Sequence, residues 1–590
     1  MIEQTRLEIS MSRFQRLLSY LKPHWKKSTL GVFALLVVNA LGVYIPWLIR
    51  EGIDELQVTF SFDRIVYYAG IIIALATAMW FVRVASRIWM FGVGRQVEFD
   101  LKQEIFEHLL TLEPAYFSEN RIGDLINRAT SDVDNIRRLL GFAVLSLVNT
   151  IFAYALTLPA MLAINVRLTL FALAIYPLMF LLVWVSSDRL RSEQMEVQER
   201  LSTVSQLVQE DTSGMGPIKI YAQEENERRA FDRYNKDLLD ANLKLARTRT
   251  ILFPLLQALA GGSLLILLAF GSRPLINGTL DVGGFVALVL YVERLVFPTA
   301  ILGFTLTTYQ RGEVSIDRID AILQVDPKIQ DPENAIDRSP EDIKGNITAR
   351  GLSYTYPGAE IPALTGADFD IEAGETVAIV GAVGSGKSTL ANAIPRLLDI
   401  QEGQLFLDGC DVTQLRLQDL RGAISYVPQD SFLFSTTIVN NIRYGRPESE
   451  GWEVETAAKQ AQIHEEILNF PKQYETIVGE RGITLSGGQR QRTALARALL
   501  IDAPVLILDD ALSSVDNQTA TQILHNLSTG TQRKTVVFVS HQLSAAASAD
   551  RIFVVDRGRI VQAGTHDRLL SETGLYRDLW KYQKFEAAMT

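Results

Sequence analysis

The chain divides near residue 310 into a half with long apolar runs and a half with the mixed pattern of a soluble α/β domain. Six runs in the first half are apolar over about 20 residues, the length that a helix needs to cross a bilayer. They lie near Ser28–Ile49, Ile65–Val82, Leu139–Ile164, Leu168–Ser187, Ile251–Ser272 and Val282–Tyr309. Buried core helices are the alternative, but helices this long and apolar on every side are rare in soluble domains. The pattern therefore predicts six transmembrane helices.

The connections between these runs alternate between short and long. The short ones are Arg50–Arg64, Asn165–Arg167 and Arg273–Asp281, and the long, highly charged ones are Arg83–Arg138 and Asp188–Thr250. Positive charge next to the first span favours the cytoplasmic side, and that segment carries Arg13, Arg16, Lys22, Lys26 and Lys27. We therefore expect short loops outside, long helical loops inside, and both termini on the cytoplasmic side of the inner membrane.

Two features near the spans are polar or amphipathic. Within residues 11–21, apolar residues recur at helical spacing with Arg13 and Arg16 off their face, which predicts a short helix on the inner membrane surface. Glu293 and Arg294 interrupt the sixth span, and charges inside a bilayer usually face a polar cavity or a partner. One or both are candidates for the substrate pathway; a structural pair between helices is the alternative.

Charge and cysteine content exclude some functions. The formal net charge is −10, which gives no reason to propose nucleic acid as a partner. Cys410 is the only cysteine, which excludes an intrachain disulfide and a cysteine-based metal site. No cleavable signal peptide is evident, since the first apolar run is too long and lacks a small-residue cleavage site.

A glycine-rich phosphate-binding motif, Gly381-Ala-Val-Gly-Ser-Gly-Lys-Ser388, stands in the second half. The run Glu375–Val380 before it predicts a buried strand, and Thr389–Leu398 after it predicts a helix, which is the context that the motif requires. Backbone N–H groups can converge on the β-phosphate at this turn, with Lys387 on the β and γ oxygens and the Ser388 hydroxyl on Mg²⁺.

Three further groups are of the types that surround a bound ATP. Tyr356 can stack on adenine, although a plain surface tyrosine is the alternative. The apolar run Val505–Leu508 predicts a strand ending at Asp509, whose carboxylate can hold Mg²⁺ directly or through water. A second predicted strand, Thr535–Val539, is followed by His541, whose imidazole can contact the γ-phosphate.

At Leu485-Ser-Gly-Gly-Gln489, followed by Arg490-Gln-Arg492, the chain carries the signature of ABC ATPases, and the whole chain resembles an ABC exporter half-transporter. The resemblance runs from the first span to the C-terminus. It includes Tyr116-Phe117, Gly123-Asp124, Arg128, Asp132-Val-Asp134, Ile218–Glu224, the Q-loop Val427-Pro-Gln429, Val478–Gly482 and the D-loop Ser513–Asp516.

The resemblance implies a dimer, with each ATP held between the P-loop of one nucleotide domain and the signature of the other. The long inner loops would form coupling helices that touch the nucleotide domains. Motifs and resemblance together assign ATP contacts to Tyr356, Gly381, Gly384, Ser385, Gly386, Lys387, Ser388, Thr389 and Gln429. They assign Mg²⁺ to Ser388, Gln429 and Asp509, the partner's ATP to Ser486, Gly487, Gly488 and Gln489, the D-loop to Asp516, and catalysis to Asp510 and His541.

Asp510 departs from the family pattern, in which glutamate commonly follows the strand-end aspartate as base or orienter of the attacking water. Aspartate is one methylene shorter, which withdraws the carboxylate by roughly 1.5 Å, and a base must lie within about 3 Å of its proton. The chain therefore resembles the impaired half of a heterodimer, and a homodimer with relaxed geometry is the alternative. Gln542, where the family commonly has arginine, is a lesser departure.

The expected fold is an α-helical six-span membrane domain followed by an α/β P-loop ATPase domain of ABC type. Its expected parts are an interfacial helix (1–27), a transmembrane domain with two long cytoplasmic loops (28–323), a linker (324–346) and a nucleotide-binding domain (347–590). The expected function is ATP-driven export of amphipathic small molecules, drugs, lipids or peptides. An ATP-gated channel is the alternative. The hypothesis of a soluble ATPase is excluded if the six spans are real.

Overall fold

In the computed structural model, the described residues are 13–58, 60–479, 482–513, 515, 519–520, 522–524 and 533–589. They form two compact units. One unit holds the described residues up to Leu110 together with Ile122–Val325, and the other holds Thr111–Arg121 and the described chain from Asp326 onward. We describe the first as the membrane unit and the second as the nucleotide unit.

Long helices make up the membrane unit. In chain order they are α1 (Arg13–Leu21), α2 (Trp25–Val58), α3 (Phe62–Thr111), α5 (Ile122–Asn127), α6 (Val133–Arg138), α7 (Val144–Ile164), α8 (Val166–Leu173), α9 (Tyr176–Ser213), α10 (Met215–Ile220), α11 (Glu224–Ile276) and α12 (Val282–Leu323); α4 (Pro114–Glu119) lies in the inserted segment of the nucleotide unit. Two stretches of π-helix, Arg128–Asp132 and Leu139–Ala143, flank α6.

Six helices of the described chain are long and apolar enough to cross a membrane, which confirms the six predicted spans. They are much longer than the apolar runs, and the longest, Glu224–Ile276, has 53 residues. At about 1.5 Å per residue, such a helix is far longer than the apolar layer of a bilayer is thick. The fourth predicted span is divided: α8 ends at Leu173 and α9 begins at Tyr176, because Pro177 lacks an N–H and fits the first turn of a helix.

The N-terminal helix α1 differs from the prediction at Arg16. The side chain was expected on the polar face, but it is buried, and its Nε donates to Asp320 Oδ2 of α12 at 2.8 Å. Tyr20 also hydrogen-bonds Asp320, at 3.3 Å, so α1 is tied to the last long helix by a carboxylate. The helical periodicity could not reveal this pairing, because Asp320 lies 304 positions away. The prediction that Arg13 lies on the polar face concerns a side chain that is not among the described ones.

Two sheets form the frame of the nucleotide unit. The small antiparallel sheet has the order β2-β1-β4-β5, with β1 Ile347–Tyr354, β2 Leu364–Ile371, β4 Leu405–Leu407 and β5 Cys410–Asp411. The larger sheet has the order β10-β9-β3-β8-β7-β6, with β3 Thr376–Val380, β6 Ile424–Val427, β7 Val505–Asp509, β8 Thr535–Val539, β9 Arg551–Asp556 and β10 Arg559–Gly564. Strands β9, β3, β8, β7 and β6 are parallel, and only the β9–β10 pair is antiparallel.

Strand order determines where the functional groups gather. All side chains of β3, β7 and β8 are buried, as expected of parallel strands covered on both faces. Because parallel strands end at the same edge, the segments after β3, β7 and β8 leave the sheet side by side. The P-loop, Asp509-Asp510 and Ser540-His541 follow those three strands.

Helices cover the sheets and complete the core. They are α13 (Lys387–Ala393), α14 (Leu417–Gly422), α15 (Ile438–Arg443), α16 (Gly451–Gln460), α17 (His464–Leu468), α18 (Gly487–Ile501), α19 (Leu543–Ala546), α20 (His566–Ser571) and α21 (Leu575–Met589). Buried residues of β3, β7, β8 and β9 contribute to one cluster with α18, α19 and Tyr576 of α21. The C-terminal helix is therefore part of the core that carries the P-loop strand.

The segment Thr111–Arg121, from the first long connection between spans, belongs to the nucleotide unit although its flanking chain belongs to the membrane unit. It contains α4, which begins at Pro114 after the N-cap residue Glu113. Within this unit the Glu113 carboxylate accepts a hydrogen bond from the Lys328 backbone N–H at 3.3 Å.

Candidate functional site

Three glycines of the P-loop have backbone conformations that other residues rarely adopt. Gly381, Gly384 and Gly386 all have positive φ angles, of 153°, 78° and 104°. A Cβ at Gly381 would lie 2.1 Å from Val555 O, and one at Gly386 would lie 2.5 Å from Ala363 O. The loop is thus held against the backbone of neighbouring strands, in the conformation that points N–H groups inward.

Lys387 and Ser388 start α13 and reach in different directions. Lys387 Nζ donates to Gly381 O at 3.1 Å and to Ala382 O at 2.7 Å, so the ammonium curls over the loop. Burial lowers the pKa of Lys387, and the nearby carboxylates of Asp510 and Asp509 oppose this shift. A buried ammonium that donates to carbonyl oxygens is well placed to exchange them for phosphate oxygens, which carry negative charge.

Ser388 and Asp509 come together across the sheet edge, because β8 alone separates their strands. The Ser388 hydroxyl donates to Asp509 Oδ1 at 2.9 Å, and the Tyr426 hydroxyl approaches Asp509 Oδ2 at 3.4 Å. Burial raises the pKa of Asp509, and these two hydrogen bonds counteract it. A hydroxyl and a carboxylate in contact are the hard oxygen donors that Mg²⁺ prefers, so the residues present fit this ion.

Two more groups around the loop fit a bound triphosphate. Ser385 is buried, and among the described residues its hydroxyl has no hydrogen-bond partner. A buried hydroxyl without a partner is costly unless a ligand supplies one. Beside α13, the Tyr356 hydroxyl contacts Thr389 Oγ1 at 3.3 Å, while its side chain is 39% exposed. The ring is therefore anchored at its tip and open on its surface, as stacking on a base requires.

Asp510 is fixed by its backbone just after β7. It has a left-handed φ of 49°, its N–H donates to Val539 O at 3.2 Å, and its carbonyl accepts from Ser513 Oγ at 2.9 Å and from Gln491 Nε2 at 3.4 Å. These bonds leave the backbone little freedom to bring the shorter side chain forward. Asp510 also borders a small cavity lined by Ser540 and Gln542.

His541 follows β8 and is half-buried. The preceding Ser540 is bound to the P-loop strand, because its N–H donates to Ile379 O at 3.1 Å. The carbonyl of His541 accepts a hydrogen bond from Gln583 of the C-terminal helix. Strand order thus brings His541 to the same edge as the P-loop and Asp509-Asp510.

The signature motif is ordered by its own helix cap. Ser486 Oγ accepts from the Gln489 N–H at 3.2 Å, and Gln489 Oε1 accepts from the Ser486 N–H at 2.9 Å, a capping box at the start of α18. Gln489 also donates to Glu466 at 2.9 Å. Because the Ser486 oxygen is used as an acceptor, its hydroxyl hydrogen stays available for an incoming anion. Gly487 and Gly488 form the first turn, where backbone N–H groups point outward.

Two further predicted site residues are Gln429 and Asp516. Gln429 is exposed, two residues beyond the end of β6, the edge strand next to β7. Asp516 of the predicted D-loop is outside the described residues, as are Glu480 and Arg481 of the stretch before the signature.

Glu293 and Arg294 have different surroundings on α12. Arg294 is half-buried and donates to the carbonyl and the Oδ1 of Asn39 on α2, at 3.3 and 3.1 Å. Gly42 makes room for it, since a Cβ there would lie 1.7 Å from the guanidinium. Glu293 is exposed, on the same helix face as Phe297 and Phe304.

Sequence reasoning missed two residues of the site. Tyr426 bridges Asn392, at 2.7 Å, and Asp509, but no motif singles out a tyrosine inside a buried strand. Gln583 lies 42 positions beyond His541, in a helix without motifs. These contacts come from tertiary packing, and only a structure shows them.

Comparison with known proteins agrees with the site. Residues 28–299 match the family described as the ABC transporter transmembrane region, and residues 364–513 match the family described as ABC transporter. The chain is 33% identical over 576 residues to a probable multidrug resistance ABC transporter ATP-binding/permease protein, YheI, of Bacillus subtilis, covering 96% of this chain and 97% of that one. It is 34% identical over 571 residues to an ATP-dependent lipid A-core flippase of Thiobacillus denitrificans, covering 97% and 98%.

A solved structure is similar over nearly the whole chain. A bacterial Atm1-family ABC exporter with ATP bound superposes with a TM-score of 0.77 and 25% sequence identity, covering 95% of this chain and 99% of that one. Both the membrane helices and the nucleotide-binding fold of this chain therefore have counterparts in a single chain of that exporter.

Proposed function

This chain belongs to the ABC transporter family as an exporter half-transporter, and from that premise we propose that it forms the slowly hydrolysing half of a heterodimeric pump. The activity is ATP-driven export across a membrane, and ABC exporters act as dimers. In this heterodimer the partner is a different half-transporter subunit. We also propose an inner-membrane location with both termini in the cytoplasm, which the basic N-terminal segment favours.

One observation carries the proposal: the backbone of Asp510 is held by hydrogen bonds while its side chain is one methylene shorter than the family's glutamate. A carboxylate withdrawn by about 1.5 Å from the attacking water loses catalytic efficiency, because general bases act over hydrogen-bond distances. By contrast, the sequence contains every residue that the motifs assign to ATP binding. We therefore expect ATP to bind and to persist at this site.

The roles at the site follow from the contacts. Lys387 would move from the loop carbonyls to the phosphates, and the backbone N–H groups of residues 384–389 would surround them. Ser388 and Asp509, with Gln429, would hold Mg²⁺, which when bound neutralises phosphate charge. His541 would contact the γ-phosphate. Ser486, Gly487, Gly488 and Gln489 would bind the partner's ATP, and Asp516 would act in the D-loop between the two sites.

Domain limits are part of the proposal. We assign residues 1–27 to the N-terminal helix, 28–323 to the transmembrane domain, 324–346 to the linker and 347–590 to the nucleotide-binding domain. Grouping of the chain from Asp326 onward into one unit agrees with a boundary near the end of α12.

For the substrate, we propose an amphipathic molecule, in keeping with relatives described as a probable multidrug resistance ABC transporter and as an ATP-dependent lipid A-core flippase. Glu293 is the twelfth residue of α12, which places it about 16 Å along the helix at 1.5 Å per residue. This distance corresponds to the middle of an apolar layer of about 30 Å. An exposed carboxylate at that depth is costly in lipid and favours a polar pathway. We therefore assign Glu293 to the pathway and Arg294 to helix packing through Asn39.

The test is purification of the tagged chain from its native membrane followed by measurement of subunit stoichiometry. A second half-transporter in equal amount, and ATP-dependent uptake of an amphipathic dye by inside-out vesicles containing both, are the expected results. A stable, fully active transporter made of this chain alone would refute the heterodimer. Uptake that runs down a gradient without ATP hydrolysis would refute the pump.

A further inference from the structure

The C-terminal helix presents a polar side chain where its neighbours are apolar. Tyr576 of α21 is fully buried, and Leu579 and Trp580 pack against the same core. Gln583 follows at the spacing that keeps it on this face, seven residues after Tyr576. A glutamine on a core-facing stripe needs hydrogen-bond partners to offset its loss of water.

Gln583 finds both partners on the segment after β8. Its Oε1 accepts a hydrogen bond from the Leu543 N–H at 2.9 Å, and its Nε2 donates to the His541 carbonyl. One bond uses the amide oxygen and the other uses the amide nitrogen, so the orientation of the side chain is determined by both. The amide spans Gln542 and fixes the backbone on either side of it.

This contact satisfies a backbone N–H at the start of α19. Gln542 is the N-cap of α19, and Leu543 is its first helical residue. The first N–H groups of a helix have no acceptor within the helix, and Gln583 supplies one for Leu543. On the other side of His541, Ser540 is bound to Ile379 of the P-loop strand. His541 thus lies between one anchor on the sheet and one on the C-terminal helix.

We propose that Gln583 is a positioning residue that sets the His541 backbone for contact with the γ-phosphate, so that the C-terminal helix contributes to ATP recognition. The inference rests on the proposed role of His541. Loss of the Gln583 amide frees the His541 carbonyl and the start of α19, while the P-loop contacts remain. ATP binding, which includes the γ-phosphate, is then weakened selectively relative to ADP.

The chain offers a matched control. Gln562 also bonds α21 with its side-chain oxygen, which accepts from the Tyr576 N–H at 3.0 Å. Gln562→Met therefore removes an anchor of the same helix without touching the His541 segment. Gln583→Met removes both Gln583 bonds at nearly constant side-chain volume.

The experiment uses the full-length transporter, as purified with its partner, in nanodiscs. Photolabelling with radioactive 8-azido-ATP, resolved on a gel, reports nucleotide on this polypeptide alone, and competition with ATP or ADP gives the two apparent affinities. We expect Gln583→Met to weaken ATP about tenfold and ADP less than twofold, and Gln562→Met to change neither. Combined with His541→Ala, Gln583→Met should add no further loss, since the two act through one contact.

Each contrary result identifies what is wrong. If His541→Ala leaves the ratio of ATP to ADP affinity unchanged, the proposed role of His541 fails, and the inference fails with it. If His541→Ala lowers the ratio but Gln583→Met does not, only the positioning role is refuted. Equal loss of ATP and ADP, or the same selective loss with Gln562→Met, would show that the contact serves helix packing alone.

Discussion

Lengthening the carboxylate at position 510 is the sharpest test of the proposed slow site. Asp510→Glu adds one methylene, which advances the carboxylate by about 1.5 Å from a backbone that is bonded to Val539 and Ser513. A misplacement of that size can cost about a hundredfold in rate. At about 1.36 kcal/mol per tenfold, this corresponds to about 2.7 kcal/mol of activation barrier.

Because a competent partner site would dominate total ATPase activity, the assay must follow this polypeptide. After a single incubation with Mg²⁺ and radioactive 8-azido-ATP, crosslinking and digestion show whether the label on this chain is triphosphate or diphosphate. We expect mostly triphosphate in the wild type and a tenfold to hundredfold faster conversion to diphosphate in Asp510→Glu. Total ATPase activity would rise no more than about twofold if the two sites then turn over equally.

A matched control sits next in the chain. Asp509→Glu adds the same methylene, but it displaces a carboxylate that already contacts the Ser388 hydroxyl at 2.9 Å. We expect this variant to lose Mg²⁺-dependent ATP binding. Position 510 also has a left-handed φ of 49°, which aspartate tolerates better than most residues, so thermal stability of Asp510→Glu should be measured alongside. A variant that is stable and binds ATP but hydrolyses no faster would refute the geometric account of impairment.

Three further outcomes follow from the described contacts. Lys387→Ala should abolish photolabelling of this chain while a heterodimer keeps part of its ATPase activity; complete loss of activity would favour two equivalent sites. Asp509→Asn should raise the melting temperature of the nucleotide-free protein at neutral pH, because burial raises the pKa of Asp509. The resulting penalty on the folded state is fully present above the raised folded-state pKa and is relieved as the pH falls below the pKa of the unfolded chain. An unchanged melting curve would contradict this. Glu293→Gln should alter the stimulation of ATPase activity by amphipathic cations without lowering the melting temperature. Arg294→Gln should lower the melting temperature, because its bonds to Asn39 are lost. The reverse pattern would exchange the roles assigned to the two residues.

Sequence alone predicted the architecture because its signals are local. Six apolar runs specify six spans, and Thr535–Val539 was predicted at the bounds that the structure has. Phosphate-binding and signature motifs are similarly continuous in the chain, so their position in the site follows from the strand that precedes them or the helix that follows.

Contacts between distant segments could not be read in this way. Arg16 has the spacing of a surface residue, yet it pairs with Asp320. Glu293 and Arg294 are adjacent in sequence, and their different surroundings depend on Asn39 and Gly42 of another helix. Tyr426 and Gln583 carry no motif at all, and their importance depends on strand order and on the packing of α21.

The insertion of Thr111–Arg121 into the nucleotide unit has a consequence for biosynthesis. This segment leaves the ribosome long before the strands with which it forms one unit, since the chain from Asp326 onward is still to be made. At roughly 5 to 20 residues per second, synthesis of residues 122–590 takes about 25 to 90 seconds. During that interval α4 lacks most of its unit, while four further spans enter the membrane. Completion of the C-terminal half is therefore the step that permits Thr111–Arg121 to reach its final structure, and we expect late truncations to affect this early segment.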